Sequence, residues 1–166
     1  MGERRALRER FTAQLRLHLD ALYSTALRLT RNPHDAEDLT QDACLRAYRS
    51  FGQLADPARC RGWLLRILTR TFFIAYQQRQ RAPETLPYEE EVHQVPGDTP
   101  ETAVFGRLLD DEITGALEQL PEEFRAAVVL ADLEGLSYRE IAEALGCPLG
   151  TGRSRLNRGR RMLARL

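Results

Sequence analysis

A proline-rich acidic segment at residues 82–100 constrains the fold most, because it interrupts an otherwise helical sequence. It contains four prolines, five acidic side chains and no arginine, a composition typical of a linker. A chain of 166 residues can form one ordinary domain or two small ones. The sequence therefore predicts two small domains, residues 1–81 and 101–166, joined by an acidic flexible linker at 82–100. The acidic linker would suit a chain that repositions its two domains, and a plain flexible spacer is an equal interpretation.

The first domain is predicted to contain three helices. From Leu7 to Leu29, apolar residues recur at the three- and four-residue spacing of one helical face. Asn32-Pro33 ends this helix and begins a second, because Asn suits the N-cap and Pro suits the first helical turn. The second helix has an apolar face from Ala36 to Phe51, and a third runs from about residue 57 to Arg81.

The second domain is also predicted to be helical. A capping start at residues 98–101 precedes a helix that reaches about Leu120, and Pro121 begins another that ends before Gly135. Ser137-Tyr-Arg-Glu140 has the pattern of a capping box for a short helix through Leu145. Since no useful stretch of β alternation occurs in the chain, the predicted fold class is all-α.

The segment from Ser137 to Arg161 has the form of a helix-turn-helix. A short amphipathic helix meets the turn Gly146-Cys147-Pro148, and small Ala142 allows a second helix to approach closely. Such a unit places its second helix in the DNA major groove. From Cys147 to the end there are six arginines and no acid, which suits contact with phosphate. A solvated arginine-rich helix without a ligand is the alternative.

Both domains resemble parts of one protein family. The segments Leu120-Pro-Glu-Glu-Phe-Arg125, Leu130–Thr151 and Ser154-Arg-Leu-Asn-Arg-Gly-Arg160 resemble region 4 of the extracytoplasmic-function (ECF) sigma factors. Arg31–Asp42 and Arg61-Gly-Trp-Leu-Leu-Arg-Ile-Leu-Thr69 resemble region 2 of the same family. The resemblance implies a factor that binds RNA polymerase core and directs it to promoter DNA. The tract from Trp63 to Pro83 is most similar to the thiol-stress branch.

The resemblance implies that the polar face of the second helix binds the clamp helices of the polymerase β′ subunit. Core polymerase, including its β and β′ subunits, is therefore an expected partner. A carboxylate-rich stripe can pair with arginines of a partner and set its orientation, although a solvated helix face is the usual fate of such residues. The residues assigned to this contact are Asp35, Glu37, Asp38, Gln41 and Asp42.

In the family, the third helix meets the non-template strand of the promoter −10 element. Opened strands are held by aromatic stacking and a basic track, and the loop at residues 52–60 is the expected rim of a base pocket. An alternative to DNA contact is that Trp63, Phe72 and Tyr76 are core residues. The residues assigned to −10 DNA are Arg61, Trp63, Arg66, Arg70, Phe73 and Tyr76.

The family pattern places Arg153, Ser154 and Asn157 toward base edges of the −35 element. An arginine bidentate to guanine contributes roughly 1–3 kcal/mol of discrimination, whereas phosphate contacts add affinity without sequence choice. The remaining −35 assignments are phosphate for Arg155, Arg158, Arg160 and Arg161, DNA backbone for Tyr138 and Arg139, and an unspecified contact for Thr151.

Several positions depart from the family pattern. Gly152 stands where an apolar β-branched residue is usual, and glycine costs about 1 kcal/mol of helix propensity. This predicts a recognition helix that is less rigid or begins later than in relatives. Arg70, Ile74, Gln77 and Gln78 also differ from the usual third helix, so the sequence predicts altered −10 reading and promoter opening that is weak or needs a helper protein.

Other features limit the function classes. The 24 basic residues are all arginine and balance 24 acids, so net charge gives no argument for nucleic acid. Cys44, Cys60 and Cys147 lie far apart, which disfavours a zinc site and suggests buried reduced thiols. The expectations are no metal, no cofactor, no enzymatic activity, no membrane insertion and a cytoplasmic location.

Two other functions compete with promoter recognition on polymerase. One is a stand-alone helix-turn-helix regulator that binds DNA as a dimer. The other is a sigma-fold protein-binding module that has lost promoter opening. Many ECF factors are held inactive by an anti-sigma factor, so the resemblance also implies such a partner.

Overall fold

The computed structural model describes residues 1–81 and 111–166, and the predicted linker and capping start lie outside them. These residues are helical and contain no strand, which confirms the all-α prediction. The N-terminal half has three helices: α1 Gly2–Thr30, α2 Pro33–Ser50 and α3 Cys60–Arg81. The C-terminal half consists of α4 (helical at 111–118), α5 Glu122–Val128, α6 Tyr138–Leu145 and α7 Leu149–Leu163.

The predicted boundary between α1 and α2 is confirmed. The Asn32 side chain accepts hydrogen bonds from the backbone amides of His34 and Asp35, at 2.8 and 3.2 Å. Pro33 occupies the first turn, where its missing N–H costs nothing. The chain reverses at Arg31, whose left-handed φ of 60° ends α1. Two antiparallel helices can therefore pack side by side.

The boundaries of α6 are also as predicted. The Ser137 hydroxyl accepts from the Glu140 amide, and the Glu140 carboxylate accepts from the Ser137 amide at 2.8 Å. Gly146 ends the helix with φ of 63°, a conformation that glycine adopts without strain. The capping box and this glycine define the first helix of the helix-turn-helix.

Three boundaries differ from the sequence expectation. Helix α1 begins five residues before Leu7, and α3 begins at Cys60 because residues 57–59 form a separate 3₁₀ turn capped by Asp56. The helix that follows Pro121 passes into a π-helical turn at Val129–Leu133 before Gly135. Nothing in the apolar spacing predicted this π turn, and it directs Asp132 and Glu134 toward different neighbours.

The buried apolar residues of both halves form one core cluster. From the N-terminal half it includes Leu22 and Ala26 of α1, the apolar face of α2, and Leu64, Leu65 and Leu68 of α3. In the C-terminal half, Leu130, Ile141 and Leu156 are almost completely buried. Burial of each such side chain contributes roughly 1.5–3 kcal/mol. Leu19, predicted on the apolar face of α1, is instead 41% exposed.

The two halves pack against each other, mainly through α3 on α6 and α1 on α5. Arg125 of α5 is 1% exposed, and its guanidinium donates to the backbone oxygen of Leu29 in α1 at 3.0 Å. A second bond runs to the oxygen of Leu120 at 3.1 Å. Burial, together with nearby Arg31, lowers the Arg125 pKa. We call this packing of the halves the closed arrangement.

Candidate nucleic-acid interface

The helix-turn-helix is held together by unusually close contact between α6 and α7. Gly152 is buried, and a Cβ built on it would lie 3.3 Å from the Ala142 Cβ. Helix α7 begins at Leu149, so the expectation that Gly152 delays the helix is wrong: the glycine fits against Ala142 inside the first turn. A β-branched side chain at this position would force the helices apart.

One face of α7 is exposed over its whole length. Arg153, Ser154, Asn157, Arg158 and Arg161 are exposed, whereas Gly152, Leu156 and Gly159 on the opposite face are buried. Arg158 and Arg161 form no ion pair with residues 1–81 or 111–166. The base-reading residues implied by the family pattern therefore share one accessible face with two phosphate candidates.

Other basic residues predicted to contact DNA have partners inside the protein. Arg160 binds both carboxylate oxygens of Asp132, with its Nε 3.1 Å from Oδ2. This pairing raises the Arg160 pKa. Arg155 is half-buried with its Nε 3.6 Å from Glu123. Thr151 is likewise half-buried.

Tyr138 lies at the start of α6, beside the first turns of α7. The guanidinium carbon of Arg153 is 5.0 Å from the centre of its ring, a distance at which the ring face attracts a cation. The neighbouring Arg139 is exposed, with its Nε 3.8 Å from Glu143. The structure thus brings Tyr138 and the predicted base reader Arg153 together.

On α3, two arginines predicted to bind −10 DNA contact the C-terminal half instead. Arg61 donates to the backbone oxygen of Glu134 at 2.7 Å and also binds its carboxylate. Arg66 lies 3.4 Å from the Glu143 carboxylate. Arg70 is exposed. In the closed arrangement, two of the three arginines in the predicted basic track of α3 are therefore paired with carboxylates of the C-terminal half.

Glu134 forms the centre of these contacts and is only 8% exposed. Besides Arg61, it accepts a 3.0 Å hydrogen bond from the Thr25 hydroxyl and lies 3.8 Å from Arg28. Sequence reasoning missed Glu134 and Arg125. Their only sequence signal was charge next to apolar residues, which also describes a solvated helix face.

The aromatic residues of α3 are half-buried. Trp63 packs near Phe51, with ring centres 6.3 Å apart, and Phe72 contacts Phe73 at 5.2 Å. Tyr76 stacks on Phe72, and its hydroxyl lies 3.5 Å from Glu122 in the C-terminal half. Burial, followed by the Glu122 charge, raises the Tyr76 pKa. Trp63 and Phe72 pack against the core, and each ring keeps an accessible part.

The acidic face of α2 points to solvent. Glu37, Asp38, Gln41 and Asp42 are exposed, and Asp35 is half-buried with an oxygen 4.0 Å from Arg79. Leu45 and Tyr48 continue this surface, with 58% and 38% exposure. Neither residue was predicted to bind polymerase, although both follow Gln41 at helical spacing. The result is a stripe with carboxylates at one end and apolar groups at the other.

Comparison with known proteins identifies the family to which the chain belongs. Residues 15–82 match the family model for sigma-70 region 2, and residues 110–163 match sigma-70 region 4. The chain is 33% identical over 138 residues to the ECF RNA polymerase sigma-E factor of Haemophilus influenzae, covering 78% of this chain and 73% of that protein. The chain belongs to the ECF RNA polymerase sigma factors.

Further relatives support this family assignment and do not favour the alternative of a stand-alone DNA-binding regulator. The ECF sigma factor SigE of Mycolicibacterium smegmatis is 47% identical over 152 residues, and the alignment covers 90% of this chain but only 58% of SigE. The sigma factor RpoE, solved with the anti-sigma factor NepR from Bartonella quintana, is 27% identical with a TM-score of 0.68. That match covers 93% of this chain and 94% of RpoE.

The described residues also give information on membrane-spanning helices, metal sites and thiols. Within residues 1–81 and 111–166, no helix has the length and apolar character needed to cross a membrane. The same residues contain no cluster of three or more side chains suited to hold a metal ion. Cys44, Cys60 and Cys147 are free thiols, of which Cys60 is buried. Burial raises the pKa of the Cys60 thiol.

Proposed function

We propose that this ECF sigma factor binds RNA polymerase core and directs promoter-specific initiation through −10 and −35 elements. The observation that carries the proposal is the pair of exposed polar faces, on α2 and α7, in two sigma regions of one chain. One face presents carboxylates to a protein, and the other presents arginines to DNA. Polymerase supplies the chemistry, and the factor itself performs none.

Region 2 contacts the polymerase through α2. Asp38 and Asp42 are 65% and 53% exposed, so they can pair with arginines of the β′ clamp helices without first losing a buried partner. Such rim charges contribute to orientation and association rate more than to affinity. Leu45 and Tyr48 add apolar area beside them, which suits the centre of a protein interface.

Region 4 reads the −35 element with the exposed face of α7. Arg153, Ser154 and Asn157 reach base edges, while Arg158 and Arg161 bind phosphates on either side. An arginine in the major groove donates two parallel hydrogen bonds to guanine. Arg160 pairs with Asp132, and Arg155 pairs with Glu123. These two arginines therefore contribute less to phosphate binding than the sequence predicted.

Reading of the −10 element requires the closed arrangement to open. Arg61 and Arg66 bind Glu134 and Glu143, which occupy the donors that a DNA strand would need. We therefore place opening before −10 binding, with core polymerase holding the two regions apart. The departures at Ile74, Gln77 and Gln78, all exposed on α3, bear on this opened surface.

The remaining parts of the proposal follow from the family. Residues 1–81 and 101–166 act as separate domains joined by an 82–100 linker, which lets the regions move apart. An anti-sigma factor is the expected regulator, as the related RpoE was solved with NepR. The expected location is the cytoplasm, at the nucleoid when the factor is part of holoenzyme, since both proposed partners act there.

Transcription in vitro tests the proposal. Purified protein and core polymerase are incubated with a promoter library, and transcript start sites are sequenced. We expect start sites that share one −35/−10 pair, lost in Asp38→Ala through polymerase binding and in Arg153→Ala through −35 reading. Asp20→Ala and Arg16→Ala, exposed charges of α1 outside both faces, are matched controls that should keep activity. Stable binding to core without specific transcripts would contradict the proposal.

A further inference from the structure

Arg153 is the base reader that most needs orientation, because it is long and exposed. An arginine side chain loses considerable rotamer freedom when it is held in one pose. In the structure its guanidinium already lies over the Tyr138 ring, 5.0 Å from the centre. Stacking uses the flat face of the guanidinium and leaves the N–H donors at its edge available. The two donors required for guanine are therefore not consumed by the stacking contact.

The Tyr138 ring has a second arginine of α7 nearby. Arg160 is fixed by two hydrogen bonds to the Asp132 carboxylate, which raise its pKa, and the nearby Tyr138 raises this pKa further. Arg153 and Arg160 lie about two turns apart on α7. Tyr138, the first residue of α6, thus stacks with Arg153 and lies near Arg160, both on the recognition helix.

Asp132 lies in the π-helical turn at Val129–Leu133, and this turn allows its carboxylate to bind Arg160. A π turn inserts one residue into the helical register, so side chains after it point differently from those of a regular helix. Asp132 faces α7 and binds Arg160, whereas Glu134, two residues later, binds Arg61 of region 2. The carboxylate of Asp132 therefore links the π turn of region 4 to the recognition helix α7.

We propose that Tyr138 is a positioning residue that orients Arg153 for base reading, and that the Asp132–Arg160 pair holds Tyr138 in place. The proposal rests on the proposed function, since it assumes that Arg153 reads a −35 base. Under this proposal, Arg160 supports Tyr138 and does not bind phosphate. Tyr138 supports Arg153 and does not contact the DNA backbone. Sequence choice by α7 then depends on a residue of α6.

The test measures base preference at each −35 position for holoenzyme on a randomised promoter library. Arg153→Ala identifies the position that Arg153 reads. Tyr138→Leu should lower the preference at that position about two- to fivefold, which is the size of an exposed cation–π contact. It should leave the preference at the position lost in Asn157→Ala unchanged. Tyr138→Phe keeps the ring and should retain most of the preference.

Asp132→Asn provides an independent variant. It weakens the support of Arg160 and should lower the same base preference in the same direction, by less than Tyr138→Leu. Because Tyr138 and Asp132 are both about 40% exposed, neither change should unfold region 4. Thermal melting of each variant checks this, and if one variant melts early the other carries the test.

The outcomes separate the two levels of the proposal. Wild-type holoenzyme without any −35 preference would contradict the proposed function. A normal wild type and Arg153→Ala, with Tyr138→Leu reducing transcription equally on all sequences, would overturn the positioning role and leave the proposed function intact. Equal losses in Tyr138→Phe and Tyr138→Leu would also overturn it, because the ring would then be irrelevant.

Discussion

The two helices proposed to face promoter DNA differ in what covers them. On α7, the proposed base-reading and phosphate residues lie on an exposed face, and their contacts stay within region 4. On α3, Arg61 and Arg66 contact carboxylates of region 4, and Tyr76 lies 3.5 Å from Glu122. The charged groups that hold the two halves together therefore cover one proposed DNA site, on α3, and leave the other, on α7, accessible. Promoter contact would then begin at the −35 element.

The largest expected effect comes from Arg125→Ala. This change leaves the buried oxygens of Leu29 and Leu120 without their donor, and each lost bond of this kind costs about 1–3 kcal/mol. We expect the closed arrangement to lose most of its population, measured as the distance between dyes on α2 and α7 by single-molecule fluorescence. Arg31→Ala, a more exposed arginine at the same boundary, should change the distance distribution little.

Gly159→Ala should affect α7 and leave α3 unchanged. A Cβ at this position would lie 2.6 Å from Val128 Cγ2 and 3.0 Å from the Phe124 oxygen. Overpacking of this kind costs about 1–3 kcal/mol, so region 4 should melt earlier and −35 binding should weaken. Gly152→Ala meets Ala142 at 3.3 Å and should cost less, as thermal melts of both variants would show. Equal costs would contradict the close packing of α7 on α5.

Glu134→Gln addresses the α3 side of the comparison. The amide can still accept a hydrogen bond but no longer balances the charges of Arg61 and Arg28, so we expect the closed arrangement to weaken by about 1–2 kcal/mol. Free protein should then bind −10 single-stranded DNA about tenfold more tightly, while −35 duplex affinity stays the same. Unchanged −10 affinity would show that Glu134 does not cover the site.

Glu143→Gln is the weaker counterpart of that variant. Its partner Arg66 is 40% exposed and the carboxylate 48%, and exposed pairs contribute about 0–1 kcal/mol. We expect a less than threefold gain in −10 affinity in the same binding assay. An effect as large as that of Glu134→Gln would mean that burial does not determine the strength of these contacts.

The smallest expected effects distinguish the arginines of α7. Arg158→Ala and Arg161→Ala should each reduce the slope of log affinity against log salt by about 0.9, as one phosphate contact is lost. Arg160→Ala should change the slope less, because Asp132 already neutralises this side chain. Duplex binding at several salt concentrations measures all three. A full reduction for Arg160→Ala would place it on phosphate.

Local signals predicted much of the fold. The caps at Asn32 and Ser137 and the turn at Gly146 were predicted correctly because hydrogen bonding within a few residues determines them. The family pattern placed Arg153, Ser154 and Asn157 toward DNA, and all three are exposed on α7. The placement near the thiol-stress branch stays a prediction, and so do the individual DNA and polymerase contacts.

The contacts between the two halves were not predictable from the sequence. Glu134 is 73 residues from Arg61, and Arg125 is 96 residues from Leu29, so no local pattern connects them. Gly152 was interpreted as a weakness because its propensity is local, whereas its use depends on Ala142 of another helix. The π turn was missed since a single inserted residue leaves the apolar spacing nearly intact.

The most direct test compares the two DNA sites in free protein and in holoenzyme. Binding of −35 duplex and −10 single-stranded DNA is measured by fluorescence anisotropy, with and without core polymerase. We predict that free protein binds the −35 duplex and not the −10 strand, and that core restores −10 binding. Free protein that binds both with the affinity of holoenzyme would contradict the claim that region 4 covers α3.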